Sequence, residues 1–456
     1  MTRTSSETRA PSDPFRRAFV RLVVALAAAA SLLVVLNAIA GPKVESVSMD
    51  LDRTVLANGQ LRFFANEPVG SVASVSVSPF VGAAASVSGD VVAVQFDRPL
   101  NYATDYEVTV EGVTGAFDDS ASQFTHAFRT GESTIYFLSR AETGDEIRAT
   151  SISSNESRVV YQADKIQEFV HVGDLLAVST LSPARTSELT LVSLTDGTVE
   201  VLQLPSAGTI TDLKATSDGA TIGFVLTSDE PDQPSINRQL FTLDLSVDRT
   251  FVVATGISGS PLAVLSWDFV AGTTQVVVYA LDSSLEQVDL ATGAVVPFGE
   301  FEGYAGLSTD GTEAVVAEQL GQVALSLGDR AREVITPTPY QTRLTRGGAA
   351  RLLRDGLRVQ VVSIQNPQTD EFESSIVRDN GAESVPIYQL PIVGSEIVTI
   401  YPSSNDQYLA IEVDPPDGGS DFYPVQPRSP GVTTTIVEIA TGKVIRNING
   451  FAVAWP

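Results

Sequence analysis

The sequence predicts an all-β protein in which an N-terminal transmembrane helix precedes a small β-sandwich and a seven-bladed β-propeller. Three observations predict this fold class. After residue 44, apolar and polar residues alternate with a period of two along most of the chain. From residue 134 onward, turn pairs such as Asp-Gly recur about every 45 residues. The last residues also form a buried-looking strand, FAVAW, where most chains end in loose polar residues.

The composition narrows the classes of function. The 456 residues include 55 Asp and Glu against 29 Lys and Arg, for a formal net charge of -26. A chain that acidic repels phosphate backbones, so no nucleic-acid partner is expected. It contains no cysteine. Disulfides, thiolate metal sites and cysteine nucleophiles are therefore excluded.

The N-terminal segment predicts a membrane anchor. Residues 1–21 contain five arginines and are expected to form a cytoplasmic tail, and residues 22–40 contain only Ser31 and Asn37 as polar residues. A helix of that length is roughly 28 Å long, enough to cross the hydrocarbon core of a bilayer as a transmembrane helix or uncleaved signal anchor. The positive-inside rule then places residues 43–456 outside the cytoplasm. The alternative is a cleaved leader, because Ala38-Ile39-Ala40 before Gly41 has the A-x-A form of a cleavage site.

Residues 45–131 predict a small antiparallel β-sandwich. Val92, Val94 and Phe96 share one strand face, and Tyr106 and Val108 share another, while the intervening residues are mostly polar. Short alternating strands with prolines near their ends are typical of a sandwich.

Several segments of this region resemble the bacterial Ig-like domains of S-layer and other surface proteins. The segment LRFFANEPV, which starts at Leu61, is similar to the opening of that family. The later segments VSVSP, VVAVQFDRPLNYATDYEVTVEGV and FTHAFRT are similar to its later strands, in the same order. The resemblance implies a spacer or adhesive module and carries no catalytic residues.

Residues 134–456 predict the propeller. Two hairpin turns repeat along this region, each between alternating strands. The first lies at Gly173, Gly219, Gly272, Gly311, Gly356 and Asp406, and the second at Gly197, Gly293 and Gly442. Four short strands per repeat of this length are typical of a β-propeller blade.

The C-terminal strand completes the count of seven blades. Six complete units begin near Ile166, Ile210, Leu262, Tyr304, Ala349 and Glu396. The segment from Thr134 to Ala163 supplies three further strands, and FAVAW supplies the missing innermost one. Both ends of the region would then build one blade and close the ring without a free sheet edge.

Two segments of this region resemble known propeller families. The segment TSDGATIGF is similar to the S-P-D-G-x-x-I-A-F signature of TolB-type propellers, and VDLATGAV resembles the outer hairpin that they share with WD-repeat proteins. The resemblance implies a propeller fold and no particular activity.

No catalytic motif is found, so no enzyme, cofactor or metal site is expected. The two histidines are His126 and His171, and a structural role is expected for both, although His171 could reach the central channel. Asp414, Asp417 and Asp421 could hold Ca²⁺, but their spacing does not match an EF-hand loop. A catalytic pair of carboxylates remains an alternative, because spatial pairing is not visible in a sequence.

The long insertion 414–431 is the predicted partner-binding loop. It reads DPPDGGSDFYPVQPRSPG, and its Phe422, Tyr423 and Arg428 are residue types favoured at binding hot spots. A tolerated surface insertion without function is the alternative.

The functional prediction is a bacterial envelope scaffold that docks an envelope protein or a cell-wall component. One alternative is an extracytoplasmic enzyme that acts on glycans or peptides through channel carboxylates. The other is a structural component of a surface layer.

Overall fold

The computed structural model describes most of the chain in two compact units. The described residues are 18–29, 41–55, 59–117, 120–154, 156–231, 236–246, 249–340, 345–366, 368, 372–392, 394–416 and 418–455. The first unit comprises Met1–Leu51, Gly59–Asp97 and Asp105–Arg129, and the second comprises Asp52–Asn58, Arg98–Thr104 and Thr130–Pro456.

Among the described residues, two α-helical segments and the 3-10 helix Arg354–Gly356 precede or interrupt the strands. Residues 18–29 form α1, and Leu51–Thr54 form the short α2. The predicted membrane helix, 22–40, therefore begins in a helix, but residues 30–40 lie outside the described residues. Within the part of the chain that the structure describes, no helix is long and apolar enough to cross a membrane. The anchor remains a prediction.

The first unit contains two four-stranded antiparallel sheets. Its strands are β1 (Val44–Met49), β2 (Gln60–Ala65), β3 (Val69–Ser71), β4 (Ser74–Ser78), β5 (Ala83–Ser88), β6 (Val91–Phe96), β7 (Asp105–Gly115) and β8 (Ala121–Arg129). One sheet has the order β1-β2-β6-β5. In the other sheet, β7 pairs with each of β3, β4 and β8. The side chains of Val92, Val94 and Val108 are fully buried, as their alternation predicts.

The second unit contains the remaining strands. In its first half they are β9 (Thr134–Ser139), β10 (Asp145–Ser151), β11 (Arg158–Ala163), β12 (Ile166–Val172), β13 (Leu175–Leu181), β14 (Ser187–Ser193), β15 (Val199–Leu202), β16 (Gly208–Ala215), β17 (Thr221–Ser228), β18 (Gln239–Asp244), β19 (Phe251–Val253), β20 (Val264–Phe269), β21 (Gln275–Ala280), β22 (Ser284–Asp289) and β23 (Val295–Glu300). In its second half they are β24 (Gly303–Leu307), β25 (Glu313–Glu318), β26 (Gly321–Ser326), β27 (Arg332–Val334), β28 (Thr345–Leu352), β29 (Arg358–Gln365), β30 (Phe372–Asp379), β31 (Ser384–Gln389), β32 (Glu396–Pro402), β33 (Tyr408–Asp414), β34 (Thr433–Glu438), β35 (Val444–Ile448) and β36 (Phe451–Ala454).

Among the described residues, these strands form seven four-stranded sheets. Six of the sheets use consecutive strands: β12–β15, β16–β19, β20–β23, β24–β27, β28–β31 and β32–β35. The seventh has the order β11-β10-β9-β36 and so joins both ends of the region. In it Phe451 pairs with Leu138 and Ala454 with Tyr136. This pairing of the C-terminal strand is confirmed, as are the all-β class and the propeller type.

The innermost strands share an irregularity. These inner strands are β12, β16, β20, β24, β28, β32 and β36, which border the central channel of a propeller. In each of them the pairing register with the second strand shifts by a bulge. A bulge leaves backbone groups unpaired and redirects the next side chain, so it allows polar groups to gather at the channel.

The propeller has two unlike faces. We call the face that carries the connections from second to third strand and from blade to blade the loop face. We call the other, which carries the tight hairpins between first and second and between third and fourth strands, the turn face. Segment Arg98–Thr104 of the second unit contacts the turn face. There Arg98 forms a 2.7 Å ion pair with Asp355, and Asn405 donates a 3.0 Å hydrogen bond to the Leu100 carbonyl.

Candidate binding site

The insertion 414–431 joins β33 to β34 on the loop face. Five prolines fix much of its backbone: Pro415, Pro416, Pro424, Pro427 and Pro430. Phe422 has a positive φ of 58° and an exposed fraction of 89%. A bulky residue rarely adopts that backbone region, so surrounding contacts must hold it there.

Arg140 supplies many of those contacts from the connection between β9 and β10. Its guanidinium group lies 3.7 Å from the centre of the Tyr423 ring. It donates hydrogen bonds of 2.6 Å to Asp421 Oδ2 and 2.9 Å to the Gln426 carbonyl. Only 8% of the Arg140 side chain is exposed. This one cation therefore binds the insertion at three points, by stacking and by charge-assisted hydrogen bonds.

Tyr423 is held from its other end by a buried carboxylate. Its hydroxyl donates a 2.8 Å hydrogen bond to Asp145 Oδ2, which also accepts one of 2.7 Å from the Ile166 amide. Asp145 is fully buried, and this burial raises its pKa despite the hydrogen bonds and the nearby Arg140. Tyr423 therefore supplies a hydrogen bond that the buried carboxyl needs.

Arg428 has a similar role toward Glu412. Its Nε donates a 3.1 Å hydrogen bond to Glu412 Oε2, and the Ala452 amide donates one of 2.6 Å to Glu412 Oε1. Glu412 is fully buried, which raises its pKa, and the Arg428 charge opposes this rise. The guanidinium also lies 5.3 Å from the centre of the Phe451 ring. Arg428 thus ties the insertion to β33 and to the closing strand β36.

The three predicted partner-binding residues therefore have different surroundings. Phe422 is exposed, whereas Tyr423 and Arg428 are half-buried and engaged within the chain. The sequence contains one signal of such an internal contact. Glu412 interrupts the apolar run of β33, and a charge in a buried strand requires a partner. The position of that partner could not be read from spacing.

A second polar cluster connects three inner strands. Lys214 Nζ, on β16, lies 2.8 Å from Asp268 Oδ1 and 3.3 Å from Asp212 Oδ1. Tyr304 donates a 2.6 Å hydrogen bond from its hydroxyl to Asp268 Oδ2. Burial opposes the charge of Lys214, but the two carboxylates outweigh it and raise its pKa. Burial also raises the pKa of Asp212. The sequence pattern does not predict this cluster.

Glu168 links the channel to the insertion. Its carboxylate accepts hydrogen bonds from the Asp212 and Leu213 amides, of 3.3 and 3.2 Å, and one of 2.8 Å from Gln426 Nε2. Burial raises its pKa to about 7. Because Gln426 belongs to the insertion, the loop is fixed to β12 as well as to β33 and β36.

The two histidines pack against aromatic rings. The His171 ring stacks on Tyr136 at a centroid distance of 4.7 Å, and burial lowers its pKa. His126 lies 6.1 Å from Phe128 and 6.4 Å from Phe63. These contacts favour the structural role that the sequence predicts for each.

Among the described residues, no group of three or more His, Cys, Asp or Glu side chains could hold a metal ion. Of the aspartates weighed for Ca²⁺, Asp414 accepts a hydrogen bond from Ser429 and Asp421 from Arg140. Asp417 lies outside the described residues.

Exposed apolar side chains distinguish the two faces of the propeller. In or directly next to the connections of the loop face they are Ile257, Leu281, Leu320, Phe372, Ile392 and Phe422, while Leu265 and Val398 lie within the inner strands β20 and β32. Leu320 and Phe422 are the most exposed, at 89% each. The other exposed apolar side chains of the described propeller are valines of outermost strands: Val159, Val199, Val201, Val252, Val296, Val334 and Val444. No large apolar side chain is exposed within the described hairpins of the turn face, although Val199 and Val444 begin outermost strands directly after such hairpins.

Comparison with known proteins leaves the family open. No family model matches the chain, and no curated protein matches it. Among solved structures, the β-propeller domain of the Trilobed protease from Pyrococcus furiosus is 12% identical, with a TM-score of 0.46 over 70% of this chain and 96% of that chain. The Cps50 (Swd1) β-propeller domain from Myceliophthora thermophila is 14% identical, with a TM-score of 0.39 over 64% of this chain and 87% of that chain. A protein from Lactobacillus plantarum is 10% identical, with a TM-score of 0.44 over 71% and 99%. These are distant likenesses, and the propeller description rests on the strand order itself.

Proposed function

We propose that this chain is a binding protein of the bacterial cell envelope, anchored through residues 22–40, whose loop face docks a partner outside the cytoplasm. The observation that carries the proposal is that large exposed apolar side chains lie in the connections of that face and not within the described hairpins of the turn face. Exposed apolar clusters on a soluble surface mark interaction sites, because covering them removes apolar area from water.

The fixed insertion supports the same proposal. Phe422 stands exposed on a loop that is held by Arg140, Tyr423 and Arg428. A side chain presented on an already ordered loop loses little conformational entropy on binding, so more of its burial contributes to affinity. The contacts that hold Tyr423 and Arg428 would act indirectly, by positioning Phe422.

The chemistry of the face favours a protein partner over a cell-wall glycan. Four of its six exposed large apolar residues are aliphatic, and the two aromatic ones are Phe372 and Phe422. Aliphatic and aromatic side chains together match the apolar centre of a protein interface.

The enzyme alternative has less support. A carboxyl group that acts as general acid or base must be able to exchange a proton with the substrate. Lys214 lies between Asp212 and Asp268, and Glu168 already accepts three hydrogen bonds from N–H groups. These carboxylates are engaged within the chain, which is the usual state of structural groups.

A photo-crosslinking amino acid at Phe422 would test the docking face in intact cells. We expect a discrete adduct with one or a few proteins, identified by mass spectrometry. The matched control places the same amino acid at Val201, an exposed apolar position on an outermost strand, and no such adduct should form there. Adducts of the same pattern at both positions, or none at Phe422, would contradict the proposal.

A further inference from the structure

The edge strands of this protein are almost all protected against pairing with another chain. An edge strand leaves backbone N–H and C=O groups unpaired, and proteins usually interrupt it with a charge, a proline, a bulge or a short length. Among the outermost propeller strands, β11, β15 and β35 carry Arg158, Glu200 and Arg446, β23 and β31 carry Pro297 and Pro386, and β19 and β27 have three residues each. In the first unit, β1 carries Glu45 and a bulge, β8 carries Arg129, and β3 has three residues.

Strands β4 and β5 are the exceptions. The sequence from residue 68 to residue 89 contains no charged residue, in a chain where charged residues make up 18%. Both strands pair with their neighbours, β7 and β6, without a register shift. Among the described residues, β6 is the only strand partner of β5. Strand β5 therefore lies at a sheet edge with none of the usual interruptions.

The side chains of β5 also suit close approach of a second strand. Its sequence is AAASVS, and Ala84, Ser86 and Ser88 are exposed while the alternate residues are half-buried. Alanine and serine stand little above the sheet, so another strand can approach the edge without steric conflict. The strand extends over six residues, a typical length for pairing in globular proteins.

We propose that β5 pairs antiparallel with β5 of a second copy of this chain, which joins two four-stranded sheets into one of eight strands. The local absence of charge suits a meeting of two copies at this edge: two chains of charge -26 repel each other, and the repulsion is least where the facing surfaces carry no charge. A two-fold axis perpendicular to the sheet brings identical strands together antiparallel and keeps the exposed face of each on the same side.

The absence of cysteine from the chain provides a direct test. A single engineered cysteine can crosslink only to another copy. We expect the full-length Ser86→Cys variant, in a mild detergent that covers the apolar N-terminal segment, to form a covalent dimer with a short bis-maleimide. Around a two-fold axis centred near Ala85 or Ser86, the two sulfur atoms lie opposite each other or on the diagonal, within the reach of the reagent.

The control is Ser48→Cys, an exposed serine on β1, the other edge of the same sheet. We expect at least about fivefold less dimer from it, because Glu45 and the bulge hinder edge pairing there. Adding Ala84→Lys to Ser86→Cys should lower the dimer yield by a similar factor, since each copy would then bring a lysine to the paired edge. Equal yields from Ser86→Cys and Ser48→Cys, or no dimer from Ser86→Cys, would overturn the proposal. Neither result would bear on the docking of a partner at Phe422.

Discussion

At the scale of single residues, buried carboxylates determine which side chains of the insertion are engaged within the chain. Glu412 and Asp145 are both fully buried, and the insertion supplies a partner to each, Arg428 and Tyr423. A buried charge without a partner is strongly destabilising, so these two side chains are required inside the molecule. Residue type alone could not distinguish this role from a binding role, because arginine and tyrosine suit both.

Arg428→Met should therefore destabilise the propeller. It leaves Glu412 buried without its cation, and we expect the free energy of unfolding to fall by about 3 kcal/mol. Urea titration followed by tryptophan fluorescence measures this, because both tryptophans, Trp267 and Trp455, lie in the second unit.

Two further variants make that result specific. Arg249→Met removes an ion pair with Glu200 whose side chains are 40% and 52% exposed, and it should cost less than about 1 kcal/mol. The double variant Arg428→Met/Glu412→Leu should recover most of the loss, because no unpaired charge remains. Equal losses from Arg428→Met and Arg249→Met would show that Glu412 does not depend on Arg428.

Glu168 makes stability depend on pH. Burial raises its pKa from 4.5 to about 7, so the folded state favours the neutral carboxyl. The resulting stabilisation relative to the ionised form is fully present below about pH 4.5 and is lost as pH rises through about 7. At about 1.4 kcal/mol per pKa unit, the loss is about 3 kcal/mol.

Comparison with Glu168→Gln isolates this effect. The difference in free energy of unfolding, wild type minus variant, should fall by about 3 kcal/mol between pH 4.5 and pH 8. Other buried carboxyls, including Asp145 and Glu412, are present in both proteins and cancel in the difference. A difference that stays constant over this range would mean that Glu168 has the same pKa in the folded and unfolded states.

At the scale of elements, the closing strand was predictable and the bulges were not. The alternation and the final tryptophan of FAVAW match those of another inner strand, which contains Trp267, so pattern alone assigned its place. A period of two does not encode the bulges in the inner strands, because each bulge inserts one extra residue into the alternation. The polar cluster of Lys214, Asp212 and Asp268 joins β16 to β20, and a contact between two blades is not visible in a sequence pattern.

Deleting residues 451–456 should open the seventh blade. The truncation removes Phe451, which is 1% exposed, and leaves the edge of β9 without its partner. We expect the propeller to lose its cooperative urea transition and to aggregate through that edge. Phe451→Ala should cost about 3–5 kcal/mol but leave a single transition, because the strand itself remains. A truncated protein that unfolds at the same urea concentration as the full chain would contradict this role of β36.

At the scale of the whole molecule, composition indicates solubility and partner classes better than it indicates sites. The net charge of -26 argues against nucleic acid, yet it does not reveal where charge is absent. The uncharged edge at β5 and the apolar loop face become visible only when strand order and exposure are combined. Fold class and the insertion that carries Phe422 could thus be predicted from the sequence, whereas the other apolar residues of the loop face and the β5 edge required the arrangement of strands in space.

The pairing of β36 with β9 also sets an order of events during synthesis. Roughly 310 residues separate the two strands along the chain, so this contact is among the most non-local in the protein. A ribosome makes β36 after all the other blades, and until then the β9 edge has no partner. The nascent propeller is therefore an open, edge-exposed intermediate for the whole of its translation. Any competing pairing at the β9 edge during that interval would lower the fraction of the protein that reaches its closed form.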